Sequence, residues 1–490
     1  MPIKNKVQLI TYPDSLGGGL SALNDILRTH FSDVFEGGVH ILPPFPSSGD
    51  RGFAPLTYFE IEPAFGTWND IRRIGEKFDV LVDVMVNHIS RQSAYFQDFV
   101  ENGRSAEWAD LFITLDKIWP DGNPPTEDVS KIFLRKPEHP FSDIKIKSTG
   151  ETERIWTSFG PRVDWSEQID LDVHSETTRA LLLDWFRHMS EQGVSIIRLD
   201  AVGYCIKKAG TSCFFIEPDI YQFLDWIIEE ADKLNLDLLP EVHAHYSIQF
   251  KLAENGYWVY DFVLPALVLH TLFTRDHTKL ADYLRVSPRK AFTNLDTHDG
   301  IPIQPDVDDI LTVAEAQNVV NICMDRGANL NRILGKDHLK VAGFDAHQIN
   351  CTYYDAVGRD DDAYMAARAI QLFAPGVPQI YYVGLLAGEN YYDGVEKEGE
   401  GRAVNRYNYS AEEVSADLQK PVVQRLLRLI RLRNTHPAFD GNFSIHAGDE
   451  TTLILAWENG RDFCRMRLTH ANYGVEVVCN EGTEIKTLLM

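Results

Sequence analysis

Eight short runs of apolar, β-type residues recur along the chain, separated by stretches that read as helix. They are Val7–Tyr12, Val39–Pro43, Val80–Asn87, Ser195–Asp200, Leu238–Val242, Trp258–Phe262, Phe292–Asp296 and Pro378–Val383. Runs that are apolar throughout, rather than alternating, suit strands of a parallel sheet covered on both faces. Eight of them interleaved with helices predict an α/β fold, a (β/α)8 barrel. We assign the barrel to residues 1–87, 175–300 and 359–438. Two gaps between strands are far longer than one helix needs, and they predict subdomains inserted at 88–174, after the third strand, and 301–358, after the seventh. Both leave the carboxyl end of a strand, where active sites of such barrels lie, so the inserts would wall in a pocket. The first is polar and contains Trp119-Pro120-Asp121-Gly122-Asn123-Pro124-Pro125, which predicts a loop-rich segment. Beyond a basic helix near Val423–Asn434, alternation such as Thr452–Trp457 predicts a small C-terminal β domain over 439–490.

The 490 residues exceed the roughly 250 of a bare barrel, and with 44% of them hydrophobic a large core is available. The formal charge of −25 argues against nucleic acid and against anionic membrane surfaces, both of which need basic patches. An anionic substrate would therefore need a local cluster of Arg, Lys or His. The six cysteines show no C-x-x-C spacing, and no His-x-x-x-His pair accompanies the acidic residues, so neither a metal nor another cofactor is expected. The N-terminal segment carries no apolar signal region and no run approaches the length of a membrane span, which predicts a cytoplasmic protein; monomer and homodimer both remain open.

Charged and polar residues interrupt the apolar runs near their ends. Asp83, Asn87 and His88 close the third, Arg198 and Asp200 the fourth, and Glu241 and His243 the fifth; Asp296, His298 and Asp299 follow the seventh. One aspartate at a strand end is commonly a helix N-cap. Polar groups at four strand ends of one barrel converge on its axis, and burying them without a use is costly. Their types fit glycosyl transfer with retention, which needs a carboxylate nucleophile and a carboxylic acid that protonates the leaving oxygen. Asp200 suits the nucleophile. Arg198, two residues earlier, lies on the same face of the strand and would keep it ionised. Glu241 suits the acid/base, its proton affinity raised by neighbouring carboxylates. Asp299 would stabilise the oxocarbenium-like transition state, and His88 and His298 would hydrogen-bond sugar hydroxyls.

Asp83-Val84-Met85-Val86-Asn87-His88, Ile197-Arg198-Leu199-Asp200-Ala201, Glu241-Val242-His243 and Asp296-Thr297-His298-Asp299 resemble the four ordered motif regions of the α-amylase clan. Asn5–Tyr12, Gly210–Phe214, Asn350–Tyr354 and Tyr381–Gly388 resemble its sucrose phosphorylase group, over essentially the whole chain and least after about residue 439. The resemblance implies a glucosyl-enzyme at Asp200, phosphate rather than water as acceptor, and α-glucose 1-phosphate as product. It also implies that Asp50 and Phe53 line the glucose subsite and that Arg402 helps bind phosphate. The glycines at 394, 399 and 401 would make the Arg402 loop mobile.

The second sugar's subsite separates close relatives. Sucrose phosphorylases typically carry Leu-Asp-x-Tyr-Gln where this chain has Phe344-Asp345-Ala346-His347-Gln348. Histidine at that point resembles the branch acting on sucrose 6′-phosphate, in which it grips the fructose phosphate with an arginine of the first insert, here Arg135 with Lys136 beside it. Asp345, Gln348 and His243 would line the same region. The expected partners are thus a sugar substrate and inorganic phosphate, and the expected products are α-glucose 1-phosphate and fructose 6-phosphate. The alternatives are a plain sucrose phosphorylase, a phosphorylase of another glucoside, a hydrolase of the same clan, and a non-catalytic carbohydrate-binding protein. Arg402 argues against the hydrolase, and the intact trio of Asp200, Glu241 and Asp299 against the last.

Overall fold

The computed structural model describes residues 3–136, 138–160, 164, 166–303, 309–332, 344–449, 451–482 and 484–489. Each of the eight apolar runs forms a strand: β1 (Gln8–Thr11), β2 (Gly38–Ile41), β3 (Val80–Met85), β4 (Val194–Asp200), β5 (Asp237–Pro240), β6 (Val259–Asp261), β7 (Ala291–Thr293) and β8 (Val377–Tyr381). They form one sheet in the order β6-β7-β8-β1-β2-β3-β4-β5. The pairings β1–β8, β6–β7, β7–β8, β3–β4 and β4–β5 are parallel. Except for β5 and β6, which end the order, strands adjacent in the chain are neighbours in the sheet, and β8 returns to β1, the order of a nearly closed (β/α)8 barrel. Seven of the eight are buried along their whole length or all but the first residue, which is why their sequences lack alternation.

The chain groups into two compact units. Within Ile41–Val242 lie β3, β4, β5 and the first insert. Here β3 ends at Met85, earlier than the apolar run. The chain turns out of the parallel sheet, and His88–Ser90 pairs antiparallel with Gln168–Asp170. The insert is more ordered than its Pro/Gly content predicts. Phe141–Lys145 pairs with Thr152–Trp156, and Ile113, Leu115, Trp119, Ile132, Phe141 and Trp156 form a core with Cys213 from beyond the insert. The Trp119 and Trp156 rings stack with centroids 6.0 Å apart. These apolar residues follow no helical or strand period, so patterning could not reveal that they meet.

The other unit holds Ile3–His40, His243–Arg332 and the described residues from 344 onward. Its insert contains a helix, Val313–Asp325, closed by a reciprocal Thr312/Glu315 capping box. It also contains a three-stranded antiparallel sheet of Ile301–Pro302, Ala346–Asn350 and Asn329–Arg332. The C-terminal domain is a five-stranded antiparallel meander: β9 (Asn442–Asp449), β10 (Thr452–Asn459), β11 (Asp462–Thr469), β12 (Gly474–Glu481) and β13 (Glu484–Leu489). The helix Asp361–Phe373 is buried on every side from Ala363 onward. The meander packs on one of its faces, where the Trp457 indole donates to the Phe373 carbonyl at 2.8 Å, and the helix's two buried polar side chains are paired, Arg368 with Asp296 and Gln371 with the Thr293 and Gln379 carbonyls. The basic helix spans Pro421–Thr435 and buries one of its charges. The Arg433 guanidinium donates to the Leu372 and Gly376 carbonyls at 3.0 and 3.1 Å and to the Asn5 side chain at 2.6 Å. All six cysteines are buried as free thiols. Among the described residues no helix is long and apolar enough to cross a membrane.

Candidate active site

Strand register assembles the first cluster, within Ile41–Val242. Asp83 of β3 stands opposite Arg198 of β4, and Met85 opposite Asp200. Residues two apart on a strand share a face, so Asp83, Arg198 and Asp200 project together. The Arg198 guanidinium is 2.5 Å from Asp83 Oδ1, 2.8 Å from Asp200 Oδ1 and 3.8 Å from Glu241 Oε1. Asp83 is fully buried, whereas Asp200 and Glu241 retain 15% and 13% of their side-chain exposure, enough to meet a ligand. Glu241 Oε2 also accepts a hydrogen bond from the Ala201 amide at 3.2 Å. Ala201 holds φ 52° and ψ 25°, a left-handed conformation that costs a non-glycine residue about 1 kcal/mol. That turn directs the amide after Asp200 toward Glu241.

A second polar layer, which sequence reading missed, supports His88. Asp170 is fully buried and accepts from Lys207 Nζ at 2.8 Å, Asn87 Nδ2 at 3.0 Å, and both the amide and the hydroxyl of Ser158 at 2.6 Å. Lys207 also donates to Asn87 Oδ1 at 2.9 Å. A buried carboxylate with this many donors is well compensated. It fixes Asn87, while His88 Nε2 sits 3.0 Å from the Phe53 carbonyl. Acid alternating with apolar residues in Ile169-Asp170-Leu171-Asp172 is the only hint of Asp170 in the sequence.

Phe53 is buried, and Asp50 is exposed on a tight turn in which Asp50, Arg51 and Gly52 all have positive φ. A side chain at Gly52 would strike the Pro43 carbonyl at 2.7 Å, so glycine is required there. Arg135 hydrogen-bonds Tyr204, a half-buried phenol whose pKa is pushed up to about 12, mainly by desolvation and further by the charges of Glu241 and Asp200, against the opposing pull of Arg135. Arg135 therefore reaches a side chain that senses both carboxylates.

Lys136 takes a different environment from its neighbour. It is 3% exposed and its Nζ donates to Thr157 Oγ1 at 2.5 Å. Burial lowers its pKa to about 8, opposed by Asp170 and Asp164. A lysine whose folded pKa lies below its unfolded value penalises the fold at and below pH 8, and the penalty fades as pH rises toward the unfolded pKa. Between about pH 8 and 10, wild type should gain up to about 1.4 kcal/mol per pH unit relative to Lys136→Met. Urea denaturation of both proteins across this range checks it; parallel pH profiles would refute it.

In the other unit the turn Thr297–Gly300 carries His298 and Asp299, and Gly401–Asn405 carries Arg402. Arg402 Nη1 lies 3.0 Å from Asp299 Oδ1, and His298 Nε2 3.6 Å from Asp299 Oδ2. The two segments are tied by Asn405 Nδ2, which donates to the Thr297 carbonyl at 3.0 Å, and by Arg406 Nε, which donates to the His298 carbonyl at 3.0 Å. A Cβ at Gly401 would fall 2.3 Å from Asn329 Oδ1, so this glycine serves close packing against the second insert. Asp296, of the same motif, has another task. It forms a fully buried ion pair with Arg368 at 2.8 Å.

His347 lies on the insert's central strand, with its ring stacked on that of His243 at 4.1 Å between centroids. Gln348 Nε2 is 3.2 Å from His243 Nδ1, and its Oε1 accepts from Asn331 at 3.1 Å. Asp345, partly exposed, immediately precedes the strand. Among the described residues no group of three or more His, Cys, Asp or Glu side chains could hold a metal ion.

A (β/α)8 barrel with an aspartate ending β4 and a glutamate following β5, both on one buried arginine, defines a glycoside-processing enzyme of the α-amylase type. The family model for the α-amylase catalytic domain matches residues 36–244. A sucrose 6(F)-phosphate phosphorylase of Thermoanaerobacterium thermosaccharolyticum is 55% identical over 491 residues, covering 100% of both chains. A sucrose phosphorylase of Streptococcus mutans is 45% identical, covering 94% of each. The crystal structure of the sucrose 6F-phosphate phosphorylase from Thermoanaerobacter thermosaccharolyticum superposes with a TM-score of 0.97, covering 100% of this chain and 99% of that one. The chain belongs to the α-amylase family, in its sucrose phosphorylase group, as the sequence motifs imply.

Proposed function

We propose that the protein is a retaining phosphorylase that transfers the glucosyl group of sucrose 6′-phosphate, and less readily of sucrose, to inorganic phosphate. Asp200 attacks the anomeric carbon while Glu241 protonates the departing oxygen, releasing fructose 6-phosphate and leaving a glucosyl ester on Asp200. Phosphate then attacks the same carbon, with Glu241 as base and Arg402 as its cationic anchor, to give α-glucose 1-phosphate. Two inversions amount to retention. Asp299 stabilises the positive charge that develops on the sugar, and Asp50, Phe53, His88 and His298 hold the glucose ring.

The observation that carries the choice of substrate is the His243–His347 stack. His243 follows the acid/base Glu241 by two residues, so a ring packed on His243 belongs beside the leaving sugar. A histidine there supplies a ring N–H donor and Arg135 from the first insert a cationic one, which suits a fructose phosphate within a strongly acidic protein. The reaction would run in the cytoplasm, where phosphorylated sugars and phosphate are retained.

The test is kcat/KM for sucrose 6′-phosphate against sucrose at saturating phosphate, in wild type and in His347→Tyr. We expect wild type to prefer the phosphorylated sugar, and the substitution to cut its use about tenfold or more while sparing sucrose. Equal losses on both substrates would remove the basis for the assignment. Glucose as the only glucosyl product at high phosphate would refute phosphorolysis altogether.

A further inference from the structure

The turn that carries Asp50 and Phe53 is held by a polar clamp outside the reacting groups. Three consecutive residues of that turn, Asp50, Arg51 and Gly52, have φ of 48°, 49° and 108°. Two non-glycine residues in the left-handed region persist only where the surroundings over-determine them. The surroundings here are the short sheet of His88–Ser90 and Gln168–Asp170. Phe53's carbonyl accepts from His88 Nε2 at 3.0 Å and from Gln168 Nε2 at 3.3 Å, and Pro55's carbonyl accepts from the Ser90 amide at 2.9 Å. At the other end of the turn, the Ser47 hydroxyl donates to Gly49 and Ala54 carbonyls at 2.8 Å. Next to it the hydroxyls of Ser48 and Ser90 lie 2.6 Å apart, and both donate to one oxygen, Oε1 of Glu167, at 3.0 Å from Ser90. Glu167 is 7% exposed, and its backbone carbonyl accepts from the Arg91 amide at 2.7 Å. A buried carboxyl group is costly unless its hydrogen bonds are needed, and this one joins the base of the Asp50 turn to the sheet that bears His88.

We infer that Glu167, acting through Ser48 and Ser90, is a positioning residue that holds the Asp50–Phe53 turn in the conformation that receives the glucosyl ring. The inference rests on the reading of Asp50 as a glucose-subsite residue. Glu167 touches no reacting atom, so its removal acts on recognition of the sugar and leaves the chemical step at Asp200 and Glu241 largely intact.

A double-mutant cycle tests this. Glu167→Ala should raise KM for the glucosyl donor about tenfold with kcat within about threefold of wild type. Glu167→Gln keeps an acceptor at Oε1 and should recover most of the loss. In an Asp50→Ala background, which already has a raised KM, adding Glu167→Ala should change KM little, since the turn no longer presents the group that the clamp positions. The same tenfold increase in both backgrounds, or no increase in either, would overturn the clamp while leaving the subsite reading intact. An Asp50→Ala protein with wild-type KM would refute the subsite reading, and the clamp with it. Ser90→Ala, which removes one of the two donors, carries the same comparison if Glu167→Ala does not fold.

Discussion

Asp200→Asn should abolish turnover, lowering kcat by about four orders of magnitude or more. The substitution removes the carboxylate charge and little else. Asparagine has the same shape, and its amide oxygen can still accept from Arg198, which lies 2.8 Å from Asp200 Oδ1. The ion pair of Arg198 with Asp83 beneath it is untouched, so the thermal midpoint should move by no more than a few degrees. Release of α-glucose 1-phosphate and a thermal melt, on the same preparation, separate the two effects. Activity near wild type would refute the nucleophile assignment; a lost fold would leave the comparison to Asp200→Ser.

The second large effect is on stability as well as rate. Arg198 is the cation that compensates Asp83, which is wholly buried. Arg198→Met keeps bulk but takes away the guanidinium 2.5 Å from that charge, at a cost of about 3–5 kcal/mol. An uncompensated buried aspartate has a folded pKa above its unfolded one, so the variant should regain stability relative to wild type as pH falls through that raised value. The companion variant Arg198→Met/Asp83→Leu should recover most of the stability and none of the activity, because Asp200 and Glu241 still lack their shared cation. Denaturation midpoints at pH 5 and 7.5 decide the matter. A single variant as stable as wild type at pH 7.5 would show that Arg198 does not compensate Asp83.

How much was readable in advance differed by kind of contact. The eight strands were legible within a few residues because a strand buried on both faces writes its environment into consecutive positions. The motif carboxylates were legible for the same reason, since a charge that interrupts such a run is conspicuous. Asp296 shows the limit. In sequence it stands with His298 and Asp299, but the structure pairs it with Arg368, 72 residues away, in a buried ion pair. The Asp170 network left one faint local hint, and the Glu167 clamp none. Lys207 and Asn87 are 120 residues apart, and Ser48 and Glu167 are 119 apart. No local period marks either end of such a contact.

The amino-acid sequence by itself therefore determined the barrel, the two inserts, the C-terminal β domain and the family, because burial pattern and short motifs are local properties of a chain. Only the tertiary structure decided which charges face one another. It put Arg198 between Asp83, Asp200 and Glu241, Arg402 on Asp299, His347 on His243, and the Asp50 turn on a buried glutamate. The physical reason is that charge pairing and ring stacking act at a few ångströms in space, and only strand register and loop return bring residues far apart in the chain to that distance.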